Sequence, residues 1–209
     1  MKTELIKLYE ENPDPRKIEH IADVLRRGGI IIYPTDTIYG MGCDIFNPRA
    51  IDNIKRLKDI KTKTVDFSFI CYDLSHISEY TKSLDTATFK LMKKALPGPF
   101  TFILNASSKV PKMLHTSKKT IGIRVPDNNI PREIVRVLEN PIITTSIHDE
   151  DEVLEYSTDP ELIYEKYRDK VDIVIDGGYG NNVASTVVDC TEGEAHVIRE
   201  GLGDLSDFL

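Results

Sequence analysis

Ile30-Ile31-Ile32-Tyr33-Pro34-Thr35-Asp36-Thr37-Ile38-Tyr39-Gly40-Met41-Gly42 is the stretch on which the fold turns. Ile30 to Tyr33 is an unbroken apolar run after Gly28-Gly29, with the length and β-branching of a strand buried on both faces. Pro34 ends it and opens a loop that runs to Gly42. In α/β sheets ligands bind outside the carboxyl ends of strands, and this loop leaves such an end. Its residues leave two readings open. Thr35 and Thr37 can present hydroxyls to a carboxylate, an amine or a phosphate oxygen, or they can bond their own backbone in an ordinary turn.

Helix and strand signals alternate on both sides of this run. A helix is predicted from Asp14, which can cap it, with Pro15 in its first turn and Ile18, Ile21, Ala22 and Leu25 on one face. Further helices are predicted over Pro48 to Lys58, Asp85 to Leu96, Ile130 to Leu138 and Thr158 to Tyr167, the last capped by Thr158. Strands are predicted over Phe67 to Tyr72, Phe100 to Leu104, Thr120 to Val125, Ile142 to Thr145 and Val171 to Ile175. Ser185 to Asp189 and Ala195 to Arg199 form a hairpin around Glu192-Gly193. Alternation indicates an α/β fold, and the closing hairpin makes the sheet mixed. The expectation is a single domain over residues 1–209, a twisted mixed β-sheet with flanking helices.

Composition fits a soluble protein: 40% of the residues are hydrophobic and 29% charged, enough for both a core and a solvated surface. No apolar run approaches the roughly 18–20 residues of a membrane span, and Met1 to Glu11 has no apolar signal core. Cys43, Cys71 and Cys190 are too few and too scattered for a disulfide framework or a zinc knuckle, so a cytoplasmic location is expected and no protein metal site. The net charge of −7 argues against nonspecific nucleic-acid binding by the whole surface. A local basic run, Lys55, Arg56, Lys58, Lys61 and Lys63 against Asp59, stands out from that background.

Four more stretches carry chemistry-bearing residues. Pro97-Gly98-Pro99-Phe100-Thr101 is a rigid helix-to-strand turn ending in a hydroxyl. In Thr120-Ile121-Gly122-Ile123-Arg124-Val125-Pro126, Arg124 interrupts an apolar strand, and a buried arginine needs an anionic partner from the protein or from a ligand. Thr144-Thr145-Ser146-Ile147-His148 and Ser185-Thr186-Val187-Val188-Asp189, followed by Ile198-Arg199-Glu200-Gly201, place further hydroxyls and a second arginine at strand ends. Walker, Gly-x-Gly-x-x-Gly, His-Glu-x-x-His and Gly-x-Ser-x-Gly motifs are absent.

In order and residue type these motifs resemble the YrdC-like family, the threonylcarbamoyl-AMP synthases, from about Arg16 to Gly201. The Pro-Thr-Asp-Thr-Ile-Tyr-Gly loop, Pro-Gly-Pro-x-Thr, Gly-x-Arg-x-Pro, Thr-Ser and the closing Ser-Thr-Val and Arg-x-Gly all have counterparts there. The departures are similar to those of the YciO branch: Arg56-x-Lys58 for Lys-x-Arg, Asp66-Phe67 for Pro-Leu, and Ile147-His148 for Ala-Asn. The resemblance implies a reaction of ATP, L-threonine and bicarbonate to threonylcarbamoyl-AMP, used in tRNA modification, with Mg2+ accompanying ATP. It implies that Thr35, Thr37 and Tyr39 position threonine or carbamate. Lys55, Arg56, Lys58, Arg124, Thr145, Ser146, Ser185, Thr186 and Arg199 would hold the nucleotide. It also implies a rival reading, a YciO-like protein that binds double-stranded RNA or tRNA through basic residues without normal synthase turnover.

Overall fold

Side-chain caps start most of the helices. The computed structural model describes residues 2–60, 67–82, 84–114, 119–147 and 155–208. β1 (Glu4–Lys7) precedes α1 (Pro15–Arg26), whose cap Asp14 accepts from the Arg16 amide. β2 (Ile31–Tyr33) and β3 (Gly40–Asp44) follow, then α2 (Pro48–Leu57), capped by Asn47. Next come β4 (Ser68–Ile70), α3 (Leu74–Tyr80) capped by Asp73, and α4 (Thr86–Ala95) capped by Asp85. β5 (Phe100–Asn105), β6 (Thr120–Arg124), α5 (Asn129–Leu138) and β7 (Ile142–Ser146) lead to α6 (Glu155–Thr158) and α7 (Pro160–Tyr167). β8 (Ile173–Asp176), β9 (Thr186–Asp189) and β10 (His196–Arg199) close the chain.

Among the described residues ten strands form one mixed sheet in the order β1-β8-β2-β3-β7-β4-β6-β5-β9-β10. β1 with β8, β2 with β8, β4 with β6 and β5 with β9 are parallel; the other neighbours are antiparallel. The mixed α/β sheet and its closing hairpin are as the alternation of signals indicated. Several elements differ from expectation. The Pro34–Gly42 loop is shorter than expected, because Gly40 to Asp44 form β3, in the middle of the sheet. β1 and α3 were not anticipated. The cap of α7 is Asp159, which accepts from the Glu161 amide, while Thr158 ends α6. His148, Lys61 and Lys63 lie outside the described residues.

Alternate residues of a strand face opposite sides of a sheet, and this divides the core in two. Ile32, Met41, Phe69, Ile143, Ile123 and Phe102 join the larger cluster, covered by α2, α3, α4 and α7 through residues such as Ile51, Ile77, Met92 and Ile163. On the other face Ile31, Tyr33, Ile70, Ile142, Ile173 and Ile175 pack against Ile18, Ile21 and Leu25 of α1 and Ile130, Ile134 and Leu138 of α5. That second face changes character part-way along the strands. Two residues on from Ile142 it carries Thr144, and two before Ile70 it carries Ser68. The apolar cover stops where the apolar side chains stop.

Candidate functional site

The uncovered half of this face is the floor of a cleft of about 440 Å³. Strand register lays a row of small residues across it, Gly40 opposite Ser146, Thr144 opposite Ser68 and Ser68 opposite Gly122, while Gly42, opposite Thr144, lies beneath the Tyr33 ring at its edge. Glycine is required by close approach at two of these positions. A Cβ on Gly42 would lie 2.2 Å from the Ile143 carbonyl oxygen, and one on Gly122 would lie 2.6 Å from Ser68 Oγ. Around the floor stand Thr101, Thr120, Thr145, Ser146 and Ser185, with Phe67, Tyr39, Ile38, Val187 and Ile198 as apolar wall. Arg124 and Arg199 supply the charge, and none of the described lining residues is acidic.

Arg124 is buried, as its place in β6 requires, and its partner comes from the loop after β2. Its Nη2 donates to Asp36 Oδ1 at 3.0 Å and to Thr37 Oγ1 at 2.8 Å. Asp36 Oδ2 accepts from the Asp127 amide at 3.1 Å. Burial pushes the Asp36 carboxyl above its ordinary pKa, opposed by the Arg124 charge and the Asp127 amide. Burial also lowers Arg124, with Asp36 opposing; an arginine stays charged in either case. Arg124 Nε is buried and has no hydrogen-bond partner. An unsatisfied buried donor costs about 1–3 kcal/mol, and a ligand oxygen would remove that cost.

Arg199 is tied to β9. Its Nη2 donates to the Ser185 carbonyl at 2.8 Å and reaches Ser185 Oγ at 3.4 Å. Ser185 Oγ lies 2.8 Å from Thr101 Oγ1, so β10, β9 and β5 share one polar chain along the cleft wall. Thr101 sits after the Pro97-Gly98-Pro99 turn, in which the Leu96–Pro97 peptide is cis.

The residues singled out in the sequence separate into two groups. Tyr39, Arg124, Thr145, Ser146, Ser185 and Arg199 line the cleft together. Thr35, Thr37, Thr186, Lys55, Arg56 and Lys58 are not among the lining residues. Thr35 Oγ1 donates to the Ile38 carbonyl and accepts from the Thr37 amide, which is the turn arrangement. Thr37 acts on the cleft through Arg124. Thr186 faces the opposite side, where its hydroxyl donates to the Gly203 carbonyl and accepts from the Gly201 amide, holding the C-terminal segment under the sheet. Lys55 and Arg56 are in the last turn of α2 and Lys58 is its C-cap, shortly before Phe67 in sequence. Ser68, Thr120 and Gly122 were not singled out; the signal for Ser68 was a hydroxyl interrupting the apolar run Phe67 to Ile70.

Tyr39 forms part of the wall, but its hydroxyl is committed to the segment after β8. It donates to the Gly178 carbonyl at 2.7 Å and accepts from the Gly177 amide at 3.2 Å. Burial raises its pKa, so it is a neutral donor at physiological pH. Tyr39→Phe is expected to cost about 1–2 kcal/mol and to lower Tm by about 2–8 °C in a thermal melt. An unchanged Tm would show that the hydroxyl does not hold this segment.

An open half-sheet with two arginines and a rim of hydroxyls defines the class: an α/β protein with a cationic, hydroxyl-lined cleft on one face of its sheet. A family model described as telomere recombination, covering the Sua5, YciO and YrdC proteins, matches residues 23–201. Escherichia coli YciO is 37% identical over 203 residues, 97% of each chain. Its crystal structure superposes with a TM-score of 0.90, covering 99% of this chain and 100% of the other. The putative threonylcarbamoyl-AMP synthase of Methanocaldococcus jannaschii is 33% identical over 205 residues, 97% of this chain and 95% of its own. The structure of Pyrococcus abyssi Sua5 complexed with L-threonine is 26% identical with a TM-score of 0.85, covering 95% of this chain and 58% of that one. The chain belongs to the Sua5/YciO/YrdC family. Among the described residues no helix is long and apolar enough to cross a membrane, and Cys43, Cys71 and Cys190 are buried and unpaired.

Proposed function

We propose that the cleft binds Mg2+·ATP together with L-threonine and forms threonylcarbamoyl-AMP. The observation that carries this reading is a lining with two arginines, a series of hydroxyls and no described carboxylate. Such a lining suits a substrate with several anionic oxygens and repels none of them. Relatives named threonylcarbamoyl-AMP synthase, and the relative complexed with L-threonine, point to the same substrates.

In this reaction the threonine amine combines with bicarbonate to give a carbamate and water. A carbamate oxygen attacks the α-phosphorus of ATP, the new P–O bond forms, and the bond to the β-phosphate breaks with its electron pair leaving on pyrophosphate. The protein contributes orientation and charge neutralisation rather than covalent chemistry. Arg124 Nε meets an anionic oxygen of the carbamate or its carboxylate. Arg199, Ser185, Thr145 and Ser146 hold nucleotide oxygens, and Phe67 and Ile198 offer apolar surface to the base. Thr37 and Asp36 hold Arg124 in place. Mg2+ brought in with the nucleotide would neutralise part of the phosphate charge, and no described lining residue is a carboxylate that would hold it independently. Lys55, Arg56 and Lys58 attract the pyrophosphate from the end of α2.

The test is pyrophosphate release from ATP, Mg2+ and bicarbonate with and without L-threonine, alongside detection of the adenylate. Threonine-dependent release is expected. ATP binding without release would reject the synthase in favour of the second reading, a nucleotide- and RNA-binding protein. That reading draws on one observation, the placement of Lys55, Arg56 and Lys58 on α2 away from the described lining. The Arg56→Ala, Lys58→Ala double variant is expected to lose about 10-fold or more in turnover, since it removes two of the positive charges that attract the leaving pyrophosphate. Wild-type turnover would remove the phosphate clamp from the account.

A further inference from the structure

A second cavity, of about 260 Å³, lies where the chain leaves β4 and β6, and it shares no lining residue with the cleft. Its walls come from the start of α3, the end of α4 and one side of α5. Leu74 and Pro97 give it an apolar surface, Tyr72 an aromatic edge, and Lys93 and Arg132 two positive charges, while Leu96 and Val125 are buried behind it.

Arg132 is pre-positioned. Its Nε donates to the Tyr72 carbonyl at 3.3 Å, and its guanidinium carbon lies 5.5 Å from the centre of the Tyr72 ring. Neither terminal nitrogen of Arg132 has a protein partner among the described residues, and neither does Lys93 Nζ. Arg26, Arg124 and Arg136, by contrast, are each paired with a carboxylate. The acid that faces this cavity, Asp73, is engaged elsewhere. Its Oδ1 accepts from Ser75 Oγ at 2.6 Å and from the His76 amide at 3.0 Å, capping α3. Two cations against one committed carboxylate leave a net positive charge over an apolar surface.

We propose that this cavity is a second binding site, separate from the cleft, for a small organic monoanion: a carboxylate on a short apolar body. The carboxylate meets the terminal nitrogens of Arg132 in the bidentate geometry that guanidinium favours. Lys93 adds a point charge from α4, and the apolar body covers Leu74 and Pro97. Bare phosphate would satisfy the cations but leave the apolar wall wet, so it binds more weakly.

The experiment is a titration of the ¹⁵N-labelled full chain, followed by amide correlation spectra, with hexanoate, hexanol and inorganic phosphate as separate probes. Hexanoate is expected to give saturable shifts at Tyr72 to Ser75, Leu96, Gly98 and Val125, with hexanol and phosphate binding at least several-fold more weakly. Arg132→Gln is expected to weaken hexanoate about 10-fold or more, and Lys93→Gln, an exposed change that leaves the fold intact, about 3-fold or more. The proposal is overturned by shifts that do not saturate, by phosphate or hexanol binding as tightly as hexanoate, or by unchanged affinity in both variants.

Discussion

Arg124→Met is expected to abolish turnover and to destabilise the protein by about 3–5 kcal/mol, because removing one partner of a buried ion pair leaves the other charge uncompensated. The exposed fractions of the two side chains, 9% for Arg124 and 10% for Asp36, put the pair in that regime. For a chain of this size the loss corresponds to a fall in Tm of about 6–20 °C. Adding Asp36→Asn removes the stranded carboxylate, so the double variant is expected to regain part of that stability while turnover stays at least about 100-fold down. Thermal melts and pyrophosphate release on the two variants separate the two effects. Recovery of turnover in the double variant would mean that Arg124 serves the fold alone.

Gly42→Ala is the second large effect. The added methyl carbon would sit 2.2 Å from the Ile143 carbonyl oxygen, a backbone atom between β3 and β7 that cannot turn aside. The two strands have to separate in mid-sheet, at a cost of about 3 kcal/mol or more, the upper end of overpacking in a tight core. Gly178→Ala is the control: its φ of +90° strains an alanine, but nothing lies within 4 Å of the added atom. That substitution is expected to cost about 1–2 kcal/mol through conformation alone. Chemical unfolding curves for both would check the order, and equal losses would show that the close approach at Gly42 is relieved at little cost.

Gly42 also shows why part of the fold was hidden in the sequence. Apolar runs such as Ile31 to Tyr33 and Phe100 to Asn105 announce themselves as strands because their side chains fill the core. β3 reads as loop because Gly-Met-Gly-Cys-Asp lacks β-branched residues. It is a strand because the absence of side chains lets Tyr33 and Thr144 close over it, and a cross-strand fit of that kind is not written in local sequence. β1 was obscured by Glu4 and Lys7, the charged pattern of an edge strand. α3 is a single short stretch whose start rests on the Asp73 cap. In the site, Arg124 was legible as a charge inside an apolar strand, and Ser146, Ser185 and Arg199 as polar residues at strand ends. The outward or inward direction of Thr186 was not, since it depends on strand phase: one residue on from Ser185, its hydroxyl belongs to Gly201 and Gly203. Asp36 shared the loop with two threonines and gave no sign that it was the partner of Arg124, 88 residues away in the chain.

The central claim is that the open half of the sheet, between Gly40 and Arg199, is where nucleotide and threonine meet. Amide correlation spectra of the labelled protein titrated with Mg2+·ATP, then with L-threonine, test it most directly. The account predicts saturable shifts at Gly40, Ser68, Gly122, Thr145, Ser146, Ser185 and Arg199, with tighter nucleotide binding once threonine is present. Saturable shifts confined to residues outside the cleft, or none at millimolar nucleotide, would contradict it.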